Sequence, residues 1–477
     1  MVRTRFAPSP TGYLHVGGIR TALFAWLIAR QAKGRFVLRL EDTDKKREVI
    51  GADQHIFDSL HALGIDYDEG PDSDGKFGPY KQSQRLDSYK LWAQKLIDIG
   101  RAYADPYSPD EVQQFREQAK NYKKPFLYRN HRPENPPKWD GSQPLRFKSD
   151  PKLYQWHDEV MGDLSTSPEV IDDFILIKSD GYPTYNFAHI IDDAEMKISH
   201  IIRGQEFLAS IPNYLNLYEA LGIKPPVMAT VPHILNEIGN KKLSKRDGAK
   251  DVLDYINDGY NAEALVSFIA TLGWNDGTKH EIFTRDELIN KFDIKRVQRS
   301  GARFDEQRLK WVNGSFIRNM ELDKLYLSSD TYWPKTANNY DDSYKKKVLD
   351  VVQERLKYLG ELPKLTNFFF EELPVDLNLI NSNKQLNKLP ISELVSLLEK
   401  SRGTLSSSNF TVDDLTDKLN TLLEKTSQKP AVLFSLIRIC TTWAPSSPGL
   451  ADTLGIIGKE KSLARIDSSI EAIKASS

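Results

Sequence analysis

The chain has 477 residues, 40% of them hydrophobic and 27% charged, a globular composition too long for one core and suited to about three or more domains. Lys and Arg number 65 against 66 Asp and Glu, so a formal net charge of −1 supplies no global field toward nucleic acid or membrane; such binding has to come from local patches. The single cysteine, Cys440, excludes intrachain disulfides and a multi-cysteine zinc knuckle. With no basic-plus-apolar leader and no apolar run of about 18 residues, we expect a cytoplasmic location and no membrane partner.

The first eighteen residues set the pattern. Val2, Thr4 and Phe6 alternate with Arg3, Arg5 and Ala7 as in a strand. Pro8, Pro10 and Gly12 then make a turn, and Gly17-Gly18 open a helix whose apolar positions include Ile19, Leu23, Trp26 and Leu27. A strand, a turn and a helix N-terminus form a place for phosphate, because backbone N–H groups point outward there and the helix dipole favours negative charge. His15 adds a side-chain donor. An ordinary βα turn is the competing reading. Gly34 reads as the helix C-cap and Arg35 to Leu40 as a second strand, which puts Glu41 at a carboxyl end, where open α/β sheets bind ligands. Asp42 or Thr43 is expected to cap the next helix, with the stripe Ile56, Phe57, Leu60, Leu63. Another helix is expected from about Ser83 to Gly100.

After Tyr103 prolines multiply and periodicity weakens, as in an insertion between two halves of a Rossmann-type domain. Within it Lys123, Lys124, Arg129 and other cations interleave with Phe115, Tyr122, Phe126, Tyr128 and Trp139, a mixture suited to single-stranded RNA; a solvated surface is the alternative. Leu145 to Lys148, Val170 to Lys178 and Thr184 to Ile191 read as strands leading back to the main sheet, Ile198 to Arg203 as a further strand, and Pro212 to Leu221 as a helix. The loop Lys242-Leu243-Ser244-Lys245-Arg246, flanked by Gly239 and Gly248, offers three cations to a triphosphate. From Ala249 onward the chain reads as helical, with long helices and short connections beyond about Glu321.

Together His15-Val16-Gly17-Gly18 and Lys242-Leu243-Ser244-Lys245-Arg246 resemble the two signatures of class I aminoacyl-tRNA synthetases. Arg5 to Gly12, Leu40-Glu41-Asp42-Thr43-Asp44 and Asp180 to Ala188 look like the bacterial-type glutamyl-tRNA synthetase family. The resemblance runs from Val2 to about Ile317 and recurs weakly near the C-terminus. It implies an α/β Rossmann-type doubly wound catalytic domain with an α+β insertion and an all-α anticodon-binding end. The expected division is residues 1–102 and 183–248 for the catalytic halves, 103–182 for an acceptor-end-binding insertion, 249–322 for a stem-contact domain and 323–477 for anticodon binding.

The implied reaction is ATP-dependent activation of L-glutamate and its transfer to tRNA(Glu), with Mg2+ accompanying ATP. The resemblance assigns His15, Lys242 and Lys245 to catalysis, and Pro8, His15, Gly17, Gly18, Glu206, Leu235, Lys242, Ser244, Lys245 and Arg246 to ATP. For glutamate it implies Arg5 and Arg203 as carboxylate partners, Glu41 as the ammonium partner, and Ser9 and Tyr185 as hydrogen-bonding groups. The competing reading for Arg5 and Glu41 is a structural ion pair across neighbouring strands. Lys123, Lys124 and Arg129 are the expected tRNA contacts. Tyr103 to Tyr107 contains no cysteine where many relatives hold zinc, so no zinc is expected, and likeness favours a monomer. Some relatives have Asn where this chain has His189, whose role stays open. The competing function is a catalytically inactive synthetase-like tRNA-binding module, against which His15, Gly17, Lys242 and Lys245 argue.

Overall fold

The alternation of the first residues becomes β1 (Arg3–Phe6), which lies inside a sheet and is buried on both faces. Thr4 turns toward the following helix, α1 (Val16–Gln31), and donates to the Ala25 carbonyl at 2.7 Å. The computed structural model describes residues 1–239, 241–243 and 250–476, so the expected roles of Ser244, Lys245 and Arg246 fall outside the described residues. No helix among them is long and apolar enough to cross a membrane.

The chain divides into two compact units, Met1–Asn257 with Ala262–Leu309, and Asp258–Asn261 with Lys310–Ser477. In the first, α1 is followed by β2 (Arg35–Leu38), α2 (Ala52–Ala62), α3 (Leu86–Asp98), β3 (Ala102–Ala104), α4 (Pro109–Asn121) and β4 (Leu145–Phe147). Next come β5 (Tyr154–Asp158), β6 (Gly162–Thr166), β7 (Ile175–Ile177), α5 (Tyr185–Glu195), β8 (His200–Gly204), α6 (Ile211–Ala220), β9 (Val227–Val231) and β10 (Ile234–Leu235). The main sheet runs β2-β1-β8-β9-β5-β6, parallel as far as β5 and closed by the antiparallel hairpin β5–β6. From β1 the chain goes to β2 on one side and later to β8 on the other. The carboxyl ends of β1 and β8 therefore bound the crevice where open parallel sheets bind ligands. Helix α1 packs on β1 and β8 and is buried nearly all round, because the helices Ala262–Ala270 and Arg285–Lys291 cover its other side.

Several expectations need correction. Thr184 to Ile191 is not a strand: Thr184 is the N-cap of α5, whose residues from Phe187 to Asp193 are buried. Val170 to Lys178 shortens to β7, preceded by a single tight turn at Pro168–Val170. β4 and β7 do not rejoin the main sheet but form an antiparallel sheet of order β3-β4-β7. Asp42 and Thr43 cap no helix: α2 starts after Gly51, and Asp42 instead accepts from the Ser83 backbone at 2.8 Å. Lys33, not Gly34, takes the left-handed conformation after α1 (φ 49°). The Lys33 and Gly34 N–H groups close back on the carbonyls of Arg30 and Ala29, and Gly34 is small because a Cβ there would lie 2.2 Å from the Val2 carbonyl oxygen.

The second unit is helical, as its periodicity predicts. Ile391–Ser406, Val412–Thr426, Pro430–Thr442 and Lys459–Ala475 bury Leu398, Leu415, Leu433, Leu436 and Ile466 in one core. A second core gathers Val348, Leu349, Val352, Leu362 and Phe369.

Candidate functional site

Above the carboxyl ends of β1, β8 and β9 lies a cleft of about 530 Å³, within the ordinary range for small-ligand sites. Its lining includes Arg5, Pro8, Ser9, His15, Gly17, Gly18, Glu41, Tyr185, Arg203, Glu206 and Lys242. Eleven residues singled out from five separated stretches of sequence thus meet at one place. Leu235 is the exception: it pairs with Lys242 and Arg303 in short bridges, and its neighbour Ile234 lines the cleft instead. A groove of about 660 Å³ in the second unit has exposed Lys400 and Lys425 and half-buried Lys418, and among its lining residues only the apolar Leu422 is buried, so no buried polar group lines it.

The nucleotide side is built from the start of α1. His15 is the N-cap, and its Nδ1 accepts the Gly17 N–H at 3.0 Å. The Gly18 N–H goes to the His15 carbonyl at 2.9 Å. These backbone donors are therefore not turned outward as expected; the helix end satisfies them itself. Glycine is needed at position 17 for another reason: a Cβ there would sit 3.0 Å from the His15 ring and push it off the cap. An accepting Nδ1 leaves the His15 proton on Nε2, the donor tautomer. Across the cleft Lys242 donates to Glu206 at 3.3 Å, with His233 Nδ1 3.6 Å from the same carboxylate. Burial raises the Glu206 pKa, but a backbone hydrogen bond and Lys242 outweigh it and hold the carboxyl below its usual range.

The other side is a buried charge network. Arg5 donates to Asp193 Oδ1 at 3.0 Å and to the Ile202 carbonyl at 3.3 Å. Arg39, fully buried, donates to the same Asp193 oxygen at 2.7 Å and to Glu41 at 3.0 Å. Asp192 takes Arg85 at 2.7 Å, Gln82 at 2.8 Å and the Tyr89 hydroxyl. Arg5 and Glu41 thus pair with Asp193 and Arg39, not with each other. Burial alone would raise the Asp193 pKa; Arg5 and Arg39 hold it well below the carboxylate range instead. Glu41 goes the other way: burial outweighs Arg39 and pushes it up to about 7. Arg203, buried on β8, stands apart, for its Nε, Nη1 and Nη2 are all buried without a hydrogen-bond partner among the described residues. Tyr185, at the start of α5, stacks on Phe207 at 5.0 Å, and burial followed by Glu41 raises its hydroxyl pKa.

Sequence reasoning missed Arg39, Asp192 and Asp193. The available signal was two acids directly following the apolar run Phe187 to Ile191, a place where a charge is carried into the interior.

The insertion residues lie elsewhere. Lys123 and Lys124 follow α4 and are exposed. Arg129 is not free for phosphate: its guanidinium is held by the carbonyls of Pro168 and Ile171. The expected stacking aromatics mostly pack on one another, Phe115 against His131 at 4.2 Å and Phe126 against Tyr128 at 6.3 Å, while Tyr122 is left exposed. In the second unit Arg438 is half-buried, and burial and then Arg355 lower its pKa.

Known proteins agree with this arrangement. Residues 1–311 match the family described as tRNA synthetases class I (E and Q), catalytic domain, and residues 320–470 match the anticodon binding domain. The chain is 39% identical over 481 residues to the glutamate–tRNA ligase of Clostridium novyi (strain NT), covering 99% of this chain and 98% of that one. The Clostridium kluyveri ligase is 38% identical, covering 100% and 99%. A crystal structure of a glutamate tRNA ligase from Elizabethkingia meningosepticum in complex with its amino acid superposes with a TM-score of 0.88 at 31% identity, covering 99% of both chains. The glutamate–tRNA synthetase of Elizabethkingia anophelis gives 0.86 at 31% identity, covering 98% of this chain and 99% of that one. A signature cleft at the switch point of a parallel sheet, followed by a helical unit matched by the anticodon-binding model, makes this chain a member of the class I tRNA synthetases of the glutamate and glutamine branch.

Proposed function

We propose that the chain is a glutamate–tRNA ligase, and that the cleft performs both of its steps. An oxygen of the glutamate α-carboxylate attacks the α-phosphorus of ATP, and the bond to the β-phosphate oxygen breaks. Pyrophosphate leaves and glutamyl-adenylate remains. A terminal ribose hydroxyl of the tRNA then attacks the activated carbonyl, loses its proton and releases AMP. Neither step needs a protein nucleophile, so positioning and charge stabilisation carry the rate.

The observation that carries this reading is Arg203, a buried guanidinium without a hydrogen-bond partner among the described residues, lining a cleft that also holds a buried carboxylate, Glu41. Glutamate brings two carboxylates and one ammonium, the complementary set. Arg203 and Arg5 take the carboxylates, Glu41 the ammonium, with Ser9 and Tyr185 as hydrogen-bonding neighbours. His15 donates from Nε2 to phosphate, Gly17 and Gly18 leave room beside it, and Pro8 and Glu206 border the nucleotide. Lys242, Ser244, Lys245 and Arg246 follow the leaving pyrophosphate. Mg2+ arrives with ATP as part of that substrate.

The same reading extends to tRNA. Lys123 and Lys124 contact acceptor-end phosphates, and the neighbouring Arg355 and Arg438 lie on the unit matched by the anticodon-binding family. The division at residues 102, 182, 248 and 322, a monomeric state and a cytoplasmic location belong to this proposal. ATP–pyrophosphate exchange tests it: we expect exchange that needs L-glutamate and is measured with tRNA(Glu) present. Exchange absent under those conditions would leave the inactive tRNA-binding module as the better reading.

A further inference from the structure

The groups proposed to meet the phosphates of ATP come from two places far apart in the chain, the start of α1 and the lysine loop that opens at Lys242. The stem of that loop shows what sets one against the other. Leu235 of β10 bridges Lys242, the Leu243 N–H donates to the Ile234 carbonyl at 2.8 Å, and the Asn236 N–H donates to the Lys241 carbonyl at 3.0 Å. β10 also pairs in parallel with β11 (Ala302–Arg303), in a small sheet separate from the main one. Gly301 leads into β11, and a Cβ there would lie 3.0 Å from the His233 carbonyl oxygen, so the two strands approach closely.

Arg20 reaches both leads into this patch. It is the fifth residue of α1, it is buried, and it lines the cleft. Its Nη2 donates to the carbonyl of Pro232, just ahead of β10, and its Nη1 to the carbonyl of Leu272 at 3.1 Å. Leu272 adjoins Gly273, whose carbonyl accepts the Gln298 N–H at 2.9 Å and so holds the segment that runs into β11. One planar guanidinium thus ties the helix capped by His15 to both strands of the stem. The choice of an arginine is informative. Both acceptors are carbonyls and neither is an acid, while Glu206, the acid whose charge reaches Arg20, is already engaged by Lys242. Burial, opposed by Glu206, lowers the Arg20 pKa only to about 10, so the group stays ionised at neutral pH. Simple packing would be served by an apolar chain without the cost of burying a cation. A buried cation on two carbonyls instead makes charge-assisted bonds, roughly twice as strong as neutral ones and fixed in one plane.

We propose that Arg20 is a positioning residue for the activation step: it fixes the stem of the lysine loop on the helix that carries His15, so that the loop's cations and the His15 donor meet the phosphates in one frame. This rests on the ligase reading above. Arg20 acts through the stem, and a shift of about 1 Å between groups that act together on a reacting centre costs on the order of 100-fold in rate. Arg5, Glu41, Tyr185 and Arg203 lie outside both α1 and the stem, so the influence of Arg20 belongs in kcat and not in the glutamate KM.

Two substitutions separate this role from packing and from charge alone. Arg20→Met keeps the apolar stem and loses every donor. Arg20→Lys keeps the charge, but an ammonium is a point charge and does not span two carbonyls in a fixed plane. In ATP–pyrophosphate exchange with tRNA(Glu) present, run well below each melting temperature and expressed per folded chain, kcat is expected to fall about 10-fold or more in both variants. The L-glutamate KM is expected to stay within about 3-fold of wild type. Amide hydrogen exchange supplies the structural readout: in Arg20→Lys the Leu243 and Asn236 N–H groups should exchange at least about 10-fold faster than in wild type, with the amides of β1 and β2 unchanged. A wild-type kcat in both variants leaves Arg20 a packing residue and overturns the proposal. So does a lysine variant as fast as wild type, which would mean that the charge suffices without the tie. Stem amides protected as in wild type, a glutamate KM that rises as much as kcat falls, or a lysine variant that does not fold overturn it as well. A wild-type chain that catalyses no exchange defeats the ligase reading itself, a result distinct from all of these.

Discussion

Burial brings the Glu41 carboxyl's change of charge toward neutral pH. Its carboxyl is pushed up to about 7 because burial outweighs the hydrogen bond from Arg39. Below that value it is neutral and has nothing to offer an ammonium; above it the carboxylate is formed. With Glu41 as the proposed ammonium partner the sign follows: glutamate binding is expected to strengthen as pH rises through 7, with a proton released to the solvent on binding below it. We expect the glutamate KM to be flat above pH 8 and to climb by up to about tenfold per unit below pH 6, while Glu41→Gln binds weakly with no such slope. A wild-type KM independent of pH between 6 and 8 would remove Glu41 from the ammonium site. The two arginines separate in a different way. Arg5 shares Asp193 with Arg39, so Arg5→Leu breaks a buried pair and should cost stability, about 3 kcal/mol by analogy with other buried pairs. Arg203 makes no hydrogen bond among the described residues and faces the Tyr214 ring at 5.5 Å, so Arg203→Met breaks no hydrogen-bonded ion pair and keeps an apolar chain of similar length there. Its thermal midpoint should hold or rise, while glutamate activation falls at least about 100-fold. Glutamine activation should fall far less, since an amide carries no charge for the guanidinium to match. Thermal denaturation and the specificity constants of both amino acids decide it: a destabilised Arg203→Met, or equal losses for glutamate and glutamine, would make Arg203 structural.

At the level of elements, the β1–turn–α1 unit could be read directly because each residue type has a local job there. Alternation gives β1, prolines and Gly12 give the turn, and His15 caps the helix. The glycines were legible as a special place, though not for their actual reason, which is the folding back of the His15 ring over Gly17. α5 was misread although Asn186, His189 and Asp193 recur at helical spacing, because every residue from Phe187 to Asp193 is buried and the stretch is short enough to pass for a buried strand. That error hid the most informative feature of the cleft: on a strand Asp192 and Asp193 would point to opposite faces, whereas on α5 both enter the network of Arg5, Arg39 and Arg85. The hairpin β5–β6 was also passed over. Its strands alternate half-buried Tyr154, Trp156 and Leu164 with exposed Gln155, His157 and Asp163, but over only five residues each, too short a run to stand out. Arg5, Glu41, Tyr185 and Arg203 were found through the family resemblance; which arginine is tied and which is unpaired is a fact of tertiary packing that no local pattern encodes.

For the whole molecule, tRNA is a polyanion and the chain has no net charge with which to attract it: 65 cations stand against 66 anions. Association therefore draws on cations that no internal acid or carbonyl has engaged. The insertion shows how far sequence counting overstates these. Arg129 is held by the carbonyls of Pro168 and Ile171, Arg132 by Asp173 at 2.7 Å, and Arg146 by Asp105 at 2.6 Å. These arginines fix the insertion's own fold. Lys123 and Lys124 are exposed, and no hydrogen bond or ion pair engages their side chains among the described residues. Each phosphate neutralised by a lysine contributes about 0.7 to 0.9 to the slope of log affinity against log salt. Replacing Lys123 and Lys124 together with Gln should then flatten the slope by about 1 to 2 and weaken tRNA binding, with the KM values for glutamate and ATP unmoved. Arg129→Gln should do the reverse, leaving the slope as in wild type while lowering the thermal midpoint, because the Ile171 carbonyl, on a buried residue, loses its donor along with the exposed Pro168 and Glu169 carbonyls. Titrations of tRNA(Glu) at several salt concentrations, with a melting curve for each variant, separate the two roles. A slope that drops with Arg129→Gln and holds with the lysine pair would mean that the guanidinium leaves its carbonyls to meet the RNA, and that the exposed lysines are solvated surface.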